Sequence, residues 1–266
     1  MDISVIIPTY NRANTIERSI RSVMDQTYPV SEIIVVDDGS VDDTEQVVLG
    51  IEDDRIIYLK QEENRGNAAA RNIGVHAARF DMIAFHDSDD EWRSDKIKKQ
   101  VEYFEVHENC RFLYAAYEKH FLSYNMIVPD LQSKGKKDGQ MLAELLYQNT
   151  VGAPTILMEK SLFEEAGGFD ESLKNLVDWD FAIRVSKKTD IDFLPEVLLD
   201  VAASTDAVTS DRSGYYQSRC YLLRKYRDDY LSTGTFNDTV ESILAMAYED
   251  GVLEQVKNTL LQYIAS

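Results

Sequence analysis

Residues 33–40 read IIVVDDGS, four consecutive β-branched residues followed directly by two aspartates, a glycine and a serine. A run that is apolar at every position is typical of a strand buried on both faces, because a strand with one solvated face alternates apolar and polar residues. Apolar runs at 3–7, 56–59 and 82–85 have the same character, and a polar cluster follows each of them. The first half of the chain therefore contains four predicted strands.

Segments with helical periodicity separate these strands, because their apolar residues recur at every third or fourth position. They are residues 14–26, 42–51, 67–79 and 94–107. Alternating strands and helices predict an α/β fold with a mostly parallel, Rossmann-like sheet that helices flank on both faces. Crossovers between such strands are right-handed, so all four strands should run in the same direction.

The second half of the chain is less regular, and it ends in helices. Residues 204–214 are rich in Ser, Thr, Asp and Gly, which is typical of a loop. We therefore expect an α/β domain at residues 1–203 and a helical C-terminal extension at residues 204–266. The predicted elements are strands at 112–117, 155–158 and 193–201 and helices at 139–148, 161–166, 178–188, 215–231, 237–248 and 253–264.

The 266-residue chain is strongly acidic, with 28 Lys and Arg against 47 Asp and Glu and a formal net charge of −19. Nucleic-acid binding needs a positive face that neutralises phosphates, so this charge argues against nucleic acid as a partner. It also argues against docking on anionic lipid through overall charge. The apolar share of 44% suffices for a core without disulfides, and Cys110 and Cys220 form no metal or disulfide pattern.

No segment approaches the run of about 20 apolar residues that a membrane-spanning helix needs. The start of the chain, MDISVIIP, lacks the basic region and the long apolar run of a signal peptide. The sequence therefore predicts a cytoplasmic protein, with peripheral contact at the inner face of the membrane left open. It does not determine the oligomeric state.

Polar clusters follow the carboxyl ends of all four predicted strands. They are residues 8–11 (PTYN), 37–40 (DDGS), 64–67 (NRGN) and 87–90 (DSDD). The carboxyl ends of parallel strands lie at one edge of a sheet, where open α/β sheets bind their ligands. We therefore expect these clusters, although distant in sequence, to line a single crevice.

The cluster at 87–90 places three carboxylates within four residues, where their charges raise one another's pKa. A hard cation such as Mg²⁺ or Mn²⁺ is the common compensation, because it prefers carboxylate oxygens and is often shared with substrate phosphates. The alternative is a solvated turn in which Asp90 or Ser94 caps the following helix. The position at the end of a strand favours the metal site.

The clusters after the first two strands are suited to a nucleotide. Asp38 can accept hydrogen bonds from a ribose hydroxyl or a base N–H, whereas for Asp37 we favour a local turn. The first strand lacks the GxGxxG dinucleotide fingerprint and offers Pro8, Thr9 and Tyr10 instead. The ring of Tyr10 can pack on a flat base, and an ordinary tyrosine at a rim is the alternative.

The cluster at 64–67 stands before a predicted helix. Asn64, Gly66 and Asn67, with Arg71 one turn into that helix, place backbone N–H groups and a cation where a phosphate can bind. Taken alone, the cluster favours the alternative of simple helix capping, with Arg71 paired to a surface acid.

Taken in order, these segments resemble glycosyltransferase family 2. The resemblance covers about residues 1–200 and leaves out the helical extension. It rests on VIIPTYN (5–11), QTYP (26–29), EIIVVDDGS (32–40), NRG (64–66), ARNIG (70–74), DSDDEW (87–92), GGFDE (167–171) and DWDF (178–181).

The family resemblance implies a GT-A fold, with a nucleotide-binding half at residues 1–110 and an acceptor half at residues 111–203. It implies an inverting, metal-dependent enzyme that moves a sugar from a nucleotide-sugar donor, expected to be UDP-linked, to a hydroxyl of a glycan or polysaccharide precursor. The acceptor expected from it is a glycan or a lipid-linked precursor.

The resemblance also implies roles for individual residues on the donor side. Thr9, Tyr10 and Asp38 would hold the base, with Asp38 facing uracil, and Ser88 would lie by the ribose. The other donor-binding residues expected here are Pro8, Asn64, Gly66, Asn67, Arg71 and Asp87.

Asp87 and Asp89 correspond to the D-x-D pair of the family, and Asp89 is the expected direct ligand of Mn²⁺ or Mg²⁺. Asp178 corresponds to the catalytic base, which takes the proton of the acceptor hydroxyl while the metal offsets charge on the departing diphosphate. Asp178 is also a candidate N-cap of the following helix. Asp180 is the alternative base if the register slips by two, and Trp179 is either a sugar platform or a core residue.

The sequence departs from the family pattern at two places. Val177 stands where the family often has Glu, which leaves a second acceptor carboxylate in doubt. Residues 202–204 (AAS) stand where relatives often have a basic residue or histidine near the diphosphate, and no histidine follows His120. Arg212 is a candidate replacement, although an arginine in a loop with no such role is the favoured interpretation.

Three further alternatives remain open at this point. The basic, aromatic helix at 215–231 could touch a membrane or a lipid-linked acceptor, although a stripe that covers its own core is favoured. A catalytically impaired sugar-nucleotide-binding or assembly subunit is compatible with the two departures. A nucleotidyltransferase would need a triphosphate loop rich in Gly, Arg and Lys after the first strand, and residues 8–11 are not such a loop.

Overall fold

The computed structural model describes residues 1–121, 123–202 and 212–264. None of the helices in these ranges is both long and apolar enough to cross a membrane. The strands described are β1 (Ile3–Thr9), β2 (Glu32–Asp37), β3 (Ile56–Lys60), β4 (Met82–Phe85), β5 (Glu91–Trp92), β6 (Phe112–His120), β7 (Asn125–Val128), β8 (Leu157–Glu159) and β9 (Asp192–Ala202). The helices are α1 (Ile16–Met24), α2 (Thr44–Leu49), α3 (Asn67–Ala77), α4 (Lys96–Val106), α5 (Leu142–Tyr147), α6 (Lys160–Glu165), α7 (Val177–Ser186), α8 (Arg212–Lys225), α9 (Arg227–Thr233), α10 (Phe236–Glu249) and α11 (Leu253–Ile264), and a 3₁₀ turn spans Ala153–Thr155.

The strands form one mixed sheet in the order β3-β2-β1-β4-β8-β6-β9-β5, with β7 paired to β6. β1 is parallel to β2 and β4, and β2 is parallel to β3, as the sequence predicts. β8 runs antiparallel to both β4 and β6, so β6 and its parallel neighbour β9 again point the same way as β1. The carboxyl ends of β1, β2, β3, β4, β6 and β9 therefore lie at one edge of the sheet.

Two hydrophobic cores cover opposite faces of this sheet. Alternate residues of β1 enter different cores, since Val5 and Ile7 pack into one core and Ile6 into the other. Every residue of β1 and β2 is buried. The apolar runs of the sequence are continuous because helices cover both faces of these strands.

The C-terminal helices share one of these cores. Tyr216, Leu223 and Tyr226 are buried in the same cluster as Trp179 and Phe181 of α7. The predicted boundary between residues 203 and 204 lies outside the described residues. The described part of the helical extension nevertheless packs directly on the α/β part of the chain.

The structure differs from the sequence prediction at several elements. β5 and β7 were not predicted, because β5 has two residues and β7 is a short, largely exposed edge strand. The single helix predicted at 215–231 is interrupted at Tyr226, between α8 and α9. Helix α7 begins at Val177 rather than at Asp178, after Leu176 in a left-handed conformation with φ of 62°.

Gly74 marks a close approach of α3 to the sheet. A Cβ atom there would lie 2.4 Å from Cγ2 of Ile6 and 3.2 Å from Cγ2 of Val36. We expect Gly74→Ala to lower the free energy of unfolding by about 1–3 kcal/mol, because overpacking a dense core outweighs the helix propensity that alanine adds. Urea unfolding measures this change, with His76→Ala at an exposed position of the same helix as the control. An unchanged free energy for Gly74→Ala would show that the Ile6 side chain gives way without cost.

Candidate active site

The loops that follow β1, β2 and β4 meet at the carboxyl edge of the sheet. The N–H of Asp38 donates to the carbonyl oxygen of Thr9 at 2.9 Å, which joins the ends of β1 and β2. Nη2 of Arg12 lies 3.6 Å from Oδ2 of Asp89, which joins the loop after β1 to the loop after β4. The polar clusters predicted to share one crevice are therefore neighbours in space.

Asp38 is buried and holds the loop that precedes α3. Its carboxylate accepts the backbone N–H of Arg65 at 2.9 Å and that of Gly66 at 2.6 Å. Burial raises the pKa of Asp38, and these two hydrogen bonds oppose the rise. The N–H groups of Arg65 and Gly66 thus point at a protein carboxylate, so they are not free for the phosphate that the sequence suggested at this loop.

Asp37 has the local role that the sequence favoured. One carboxylate oxygen accepts the N–H of Ser40 at 2.7 Å, which closes a turn after β2. The other oxygen accepts the hydroxyl of Tyr58. Asp37 is fully buried by these contacts and faces away from solvent.

The end of β1 presents two different side chains. Thr9 is 3% exposed, and its hydroxyl has no hydrogen-bond partner within the described protein. Tyr10, the next residue, is 42% exposed, and Pro8 is buried within β1. A buried hydroxyl without a partner is costly unless a ligand or solvent completes it, so Thr9 marks a place where a bound polar group fits.

The acidic loop after β4 carries the two aspartates of the D-x-D pair. Asp87 Oδ1 accepts Nη2 of the buried Arg71 at 2.6 Å, and Ser88 is buried between the two acids. Burial raises the pKa of Asp89, the charge of Asp87 raises it further, and Arg12 opposes the rise. A buried carboxylate next to a second negative charge is a donor set that suits a hard divalent cation.

Asp90 does not cap a helix, contrary to the solvated-turn alternative. It is 4% exposed, and its carboxylate accepts the backbone N–H of Ala202 at the end of β9. Burial, together with the charges of Asp87 and Asp89, raises its pKa well above the usual range. Asp90 therefore ties the acidic loop to β9, and α4 begins at Lys96 without a side-chain cap.

Asp178 lies in the first turn of α7 but is not its N-cap, because Val177 precedes it in the helix. Its carboxylate accepts the N–H of Trp179 at 2.8 Å and a hydrogen bond from the Asn149 side chain. Burial raises the pKa of Asp178, the positive charge of Arg71 opposes that rise, and the negative charge of Asp87 adds to it. Arg71 is thus within electrostatic range of Asp178 while it is bonded to Asp87.

Asp180 and Trp179 have structural surroundings. Asp180 is fully buried and is paired with Arg184 and Lys225, which leaves it unsuited to accept a proton from a substrate. Trp179 is 3% exposed, and its indole N–H donates to the carbonyl oxygen of Leu145. The alternatives of Asp180 as base and Trp179 as sugar platform are therefore wrong.

Three further residues lie near Asp178 in space or along the chain and were not predicted from the sequence. Burial raises the pKa of Tyr117 on β6, and the nearby charges of Asp178 and Asp90 raise it further, so its hydroxyl lies among these acids. Asn149 contacts Asp178, and Asn175 is 4% exposed with neither side-chain amide atom hydrogen-bonded within the described protein. Only the pairing of distant segments brings these residues together, although an asparagine just before the DWDF segment was a visible signal.

A second group of possible metal ligands lies at the carboxyl ends of β6 and β9. Ligand atoms of Glu118, His120 and Asp200 lie within 4.8 Å of one another. Arg93 donates to Glu118 at 2.8 Å and to Asp200 at 3.0 Å, so both carboxylates already have a cationic partner. A hydrogen bond to Asp200 raises the pKa of His120, so the imidazole is also a hydrogen-bond partner of Asp200.

Of the residues at which the sequence departs from the family pattern, Val177 and Ala202 lie within the described ranges. Ala203 and Ser204 lie outside the described residues. Arg212 begins α8, is 66% exposed and lies 3.5 Å from Asp250 in the C-terminal helices. Helix α8 buries its apolar and aromatic side chains, including Tyr216, Leu222 and Leu223, as expected of a stripe that covers its own core.

A comparison with family models matches residues 4–165 to the family described as Glycosyl transferase family 2. The UDP-Glc:alpha-D-GlcNAc-diphosphoundecaprenol beta-1,3-glucosyltransferase WfgD of Escherichia coli is 36% identical over 160 residues, 60% of this chain and 61% of that protein. This chain spans between 32% and 62% of the length of the curated relatives that it matches first.

Two solved structures resemble this chain over nearly its whole length. S. aureus TarS in complex with UDP-GlcNAc superimposes with a TM-score of 0.71 at 18% identity and covers 99% of this chain and 89% of that chain. The mannosyltransferase PcManGT from Pyrobaculum calidifontis, in complex with GDP-Man and Mn²⁺, has a TM-score of 0.68 at 20% identity and covers 99% and 79%. At such identities the likeness concerns the fold, and it confirms the GT-A architecture predicted from the sequence.

Proposed function

Since this chain belongs to glycosyl transferase family 2, we propose that it transfers a sugar from a UDP-sugar donor to a hydroxyl of a glycan or polysaccharide precursor, with inversion at the anomeric carbon. The observation that carries this proposal is the position of Arg71. This buried cation is bonded to Asp87 at 2.6 Å, and its charge opposes the rise that burial causes in the pKa of Asp178. The proposed metal-binding loop and the proposed base therefore face the same small volume.

The donor nucleotide, in this proposal, binds across the ends of β1 and β2. The unpartnered hydroxyl of Thr9 offers a hydrogen bond, and the exposed ring of Tyr10 offers a stacking surface for the base. Asp38 would face the uracil N–H, because each carboxylate oxygen keeps a lone pair beyond its bond to Arg65 or Gly66. The complex of TarS with UDP-GlcNAc supports a UDP-linked donor.

We propose that Asp87 and Asp89 hold Mn²⁺ or Mg²⁺ together with the donor diphosphate. Their carboxylates fit a hard cation, because the charge of Asp87 raises the pKa of the buried Asp89 and a cation would offset this unfavourable effect. When bound, such an ion would stabilise the negative charge that develops on the leaving diphosphate. Arg12 and Arg71, now paired with these acids, add positive charge at the same place.

Asp178 is the proposed base that accepts the proton of the acceptor hydroxyl. The carboxylate is held by the Trp179 N–H and by Asn149, and the first turn of a helix favours its ionised form. Its surroundings are partly buried, so a proton transfer there is shielded from bulk water.

The acceptor is proposed to be lipid-linked, on the grounds that the WfgD name describes a diphosphoundecaprenol acceptor. Such an acceptor resides at a membrane, which is consistent with the peripheral contact that the sequence left open. We propose that Tyr117 and Asn175 face its sugar, because Tyr117 lies among the site acids and the Asn175 amide has no hydrogen-bond partner among the described residues.

A thermal-shift panel of UDP-, GDP-, dTDP- and CMP-sugars tests the donor site. We expect a selective rise in Tm with UDP-sugars that is larger with Mn²⁺, because a ligand at 100 times its Kd stabilises by about 2.7 kcal/mol. Thr9→Val should keep the Tm of the free protein, because the lost hydroxyl has no hydrogen-bond partner in the described part of the chain, and should reduce the shift with UDP-sugar.

Thr155→Val is the matched control for this substitution. Its hydroxyl is buried and donates to the Gly152 carbonyl oxygen at 2.6 Å, so the free protein should melt earlier while the UDP shift persists. Equal shifts with all four nucleotides, or a full UDP shift in Thr9→Val, would contradict the proposed donor site.

A further inference from the structure

Helix α8 holds the first turn of α7, which carries Asp178. The carboxylate of Asp180, two residues after Asp178, accepts Nζ of Lys225 at 2.7 Å and the hydroxyl of Tyr226 at 2.7 Å. Asp180 is fully buried, whereas the lysine side chain keeps 26% of its surface exposed. Lys225 also reaches Oδ2 of Asp170 at 2.7 Å, so one ammonium group joins α7 to the segment that precedes it.

The residue between these two aspartates is held from the same helix. The guanidinium of Arg219 lies 4.3 Å from the centre of the Trp179 ring, and Arg219 is 5% exposed. The indole N–H of Trp179 is fixed at its other end by the carbonyl oxygen of Leu145. A cation is attracted most strongly to an aromatic ring where both are shielded from water, so this contact resists rotation of the indole.

We propose that Arg219, Lys225 and Tyr226 are positioning residues for the transfer reaction, and that α8 belongs to the catalytic apparatus rather than to an appended domain. They touch Trp179 and Asp180, the two residues that follow Asp178, and not Asp178 itself. The inference rests on the proposed function, because it assigns these three side chains to the alignment of the proposed base.

The physical basis is that a backbone shift at one residue of a helical turn also moves the other residues of that turn. Asp178 and Asp180 are in the same helical turn, so a shift of the Asp180 backbone moves the Asp178 carboxylate by a similar amount. A misplacement of about 1 Å at a reacting group can cost about 10²-fold in rate. Without Lys225 and Tyr226, Asp180 would be a buried charge that keeps Arg184 as a partner, which would favour such a shift.

Two tyrosines, Tyr216 in α8 and Tyr226 directly after it, give a matched test. The hydroxyl of Tyr226 donates to Asp180 at 2.7 Å, and the hydroxyl of Tyr216 donates to Asp250 of the C-terminal helices at 2.7 Å. We expect Tyr226→Phe to lower kcat about 3- to 10-fold with KM for the donor unchanged. Tyr216→Phe should lose similar stability and keep kcat within about twofold.

Lys225→Met removes the charge as well, and we expect a loss in kcat of about 10²-fold. Lys225→Arg keeps a cation between Asp170 and Asp180 and should restore a substantial part of the rate. UDP-induced thermal stabilisation checks that each variant is folded and binds donor. Equal kcat in Tyr226→Phe and Tyr216→Phe, with equal losses in Tm, would show that the contacts are merely structural and would overturn the proposal.

Hydrogen exchange provides a measurement that needs no activity. Amides of residues 177–181 should exchange faster in Tyr226→Phe and Lys225→Met than in Tyr216→Phe, because the first turn of α7 is released. If the parent protein transfers sugar from no donor, the proposed function fails, and exchange still decides whether α8 holds this turn. Unchanged exchange at 177–181 in both variants would overturn the positioning role.

Discussion

The Asp178→Asn variant should lose about 10²- to 10⁴-fold in kcat, the range that removal of a positioned general base costs. The amide keeps the size of the side chain but cannot accept the proton of the acceptor hydroxyl. KM for the donor and the Tm shift with UDP-sugar should stay near the parent values, because Asp178 lies on the acceptor side of Arg71 in our proposal. Initial rates at saturating donor, beside thermal-shift measurements, check both parts.

Asp228→Asn on α9 is the control for this change, since Asp228 is exposed and remote in sequence from the crevice. An unchanged kcat in Asp178→Asn would remove Asp178 from the role of base. A parent protein that binds UDP-sugar but turns over no acceptor would instead favour the assembly or binding subunit.

The same residue predicts the acid limb of the pH–rate profile. Burial raises the pKa of Asp178, and the charge of Arg71 only opposes this rise. The base must be ionised to act, so kcat should be full above this pKa and should fall as the pH is lowered through it. The midpoint should therefore lie at a higher pH than that of an exposed aspartate, and Asp178→Asn should lack this limb.

Asp89→Asn should reduce the metal-dependent rate by at least about 10²-fold, because a bound cation contributes several kcal/mol of charge stabilisation in the transition state. The substitution replaces a charged oxygen ligand by a weakly binding amide and also removes the partner of Arg12. The extra Tm shift that Mn²⁺ gives in the presence of UDP should disappear. Mn²⁺ titrations followed by rate and by melting measure this, and EDTA should abolish turnover of the parent.

Two control variants make this result specific. Glu91→Gln removes an exposed acid of the same loop that pairs with Arg18 at 3.0 Å, and it should keep the response to Mn²⁺. Glu118→Gln tests the second group of possible ligands, near Asp200. If the Mn²⁺ response is lost in Glu118→Gln and kept in Asp89→Asn, the metal binds at this second group and not at Asp89.

The sequence could predict that the loops after β1, β2 and β4 are neighbours, because the parallel sheet follows from local patterns. Each strand from β1 to β4 is an apolar run, and parallel pairing brings the residues after these runs to one edge. Thr9, Asp38 and Asp87 were placed on that basis alone. The roles assigned to them stay predictions until donor and metal binding are measured.

The acceptor side could not be predicted in this way. Tyr117 on β6 and Asn149 after α5 lie near Asp178 through the tertiary arrangement, and nothing local in the sequence indicates the strand order that places β8 between β4 and β6. The choice between Asp178 and Asp180 likewise depended on burial and on partners from α8. Two aspartates at i and i+2 look alike in sequence and differ in the groups that surround them.

The shared core of the sheet and the C-terminal helices has a consequence for how the protein denatures. Side chains of α8 and of residues 226–230 pack in the same hydrophobic cluster as those of α7. In the described ranges, one continuous core therefore joins the C-terminal helices to the α/β part of the chain. Heat or urea should then melt both parts in one cooperative transition. The midpoint of that transition is a property of the whole chain. A destabilising substitution in a C-terminal helix should therefore lower it just as one in the sheet does.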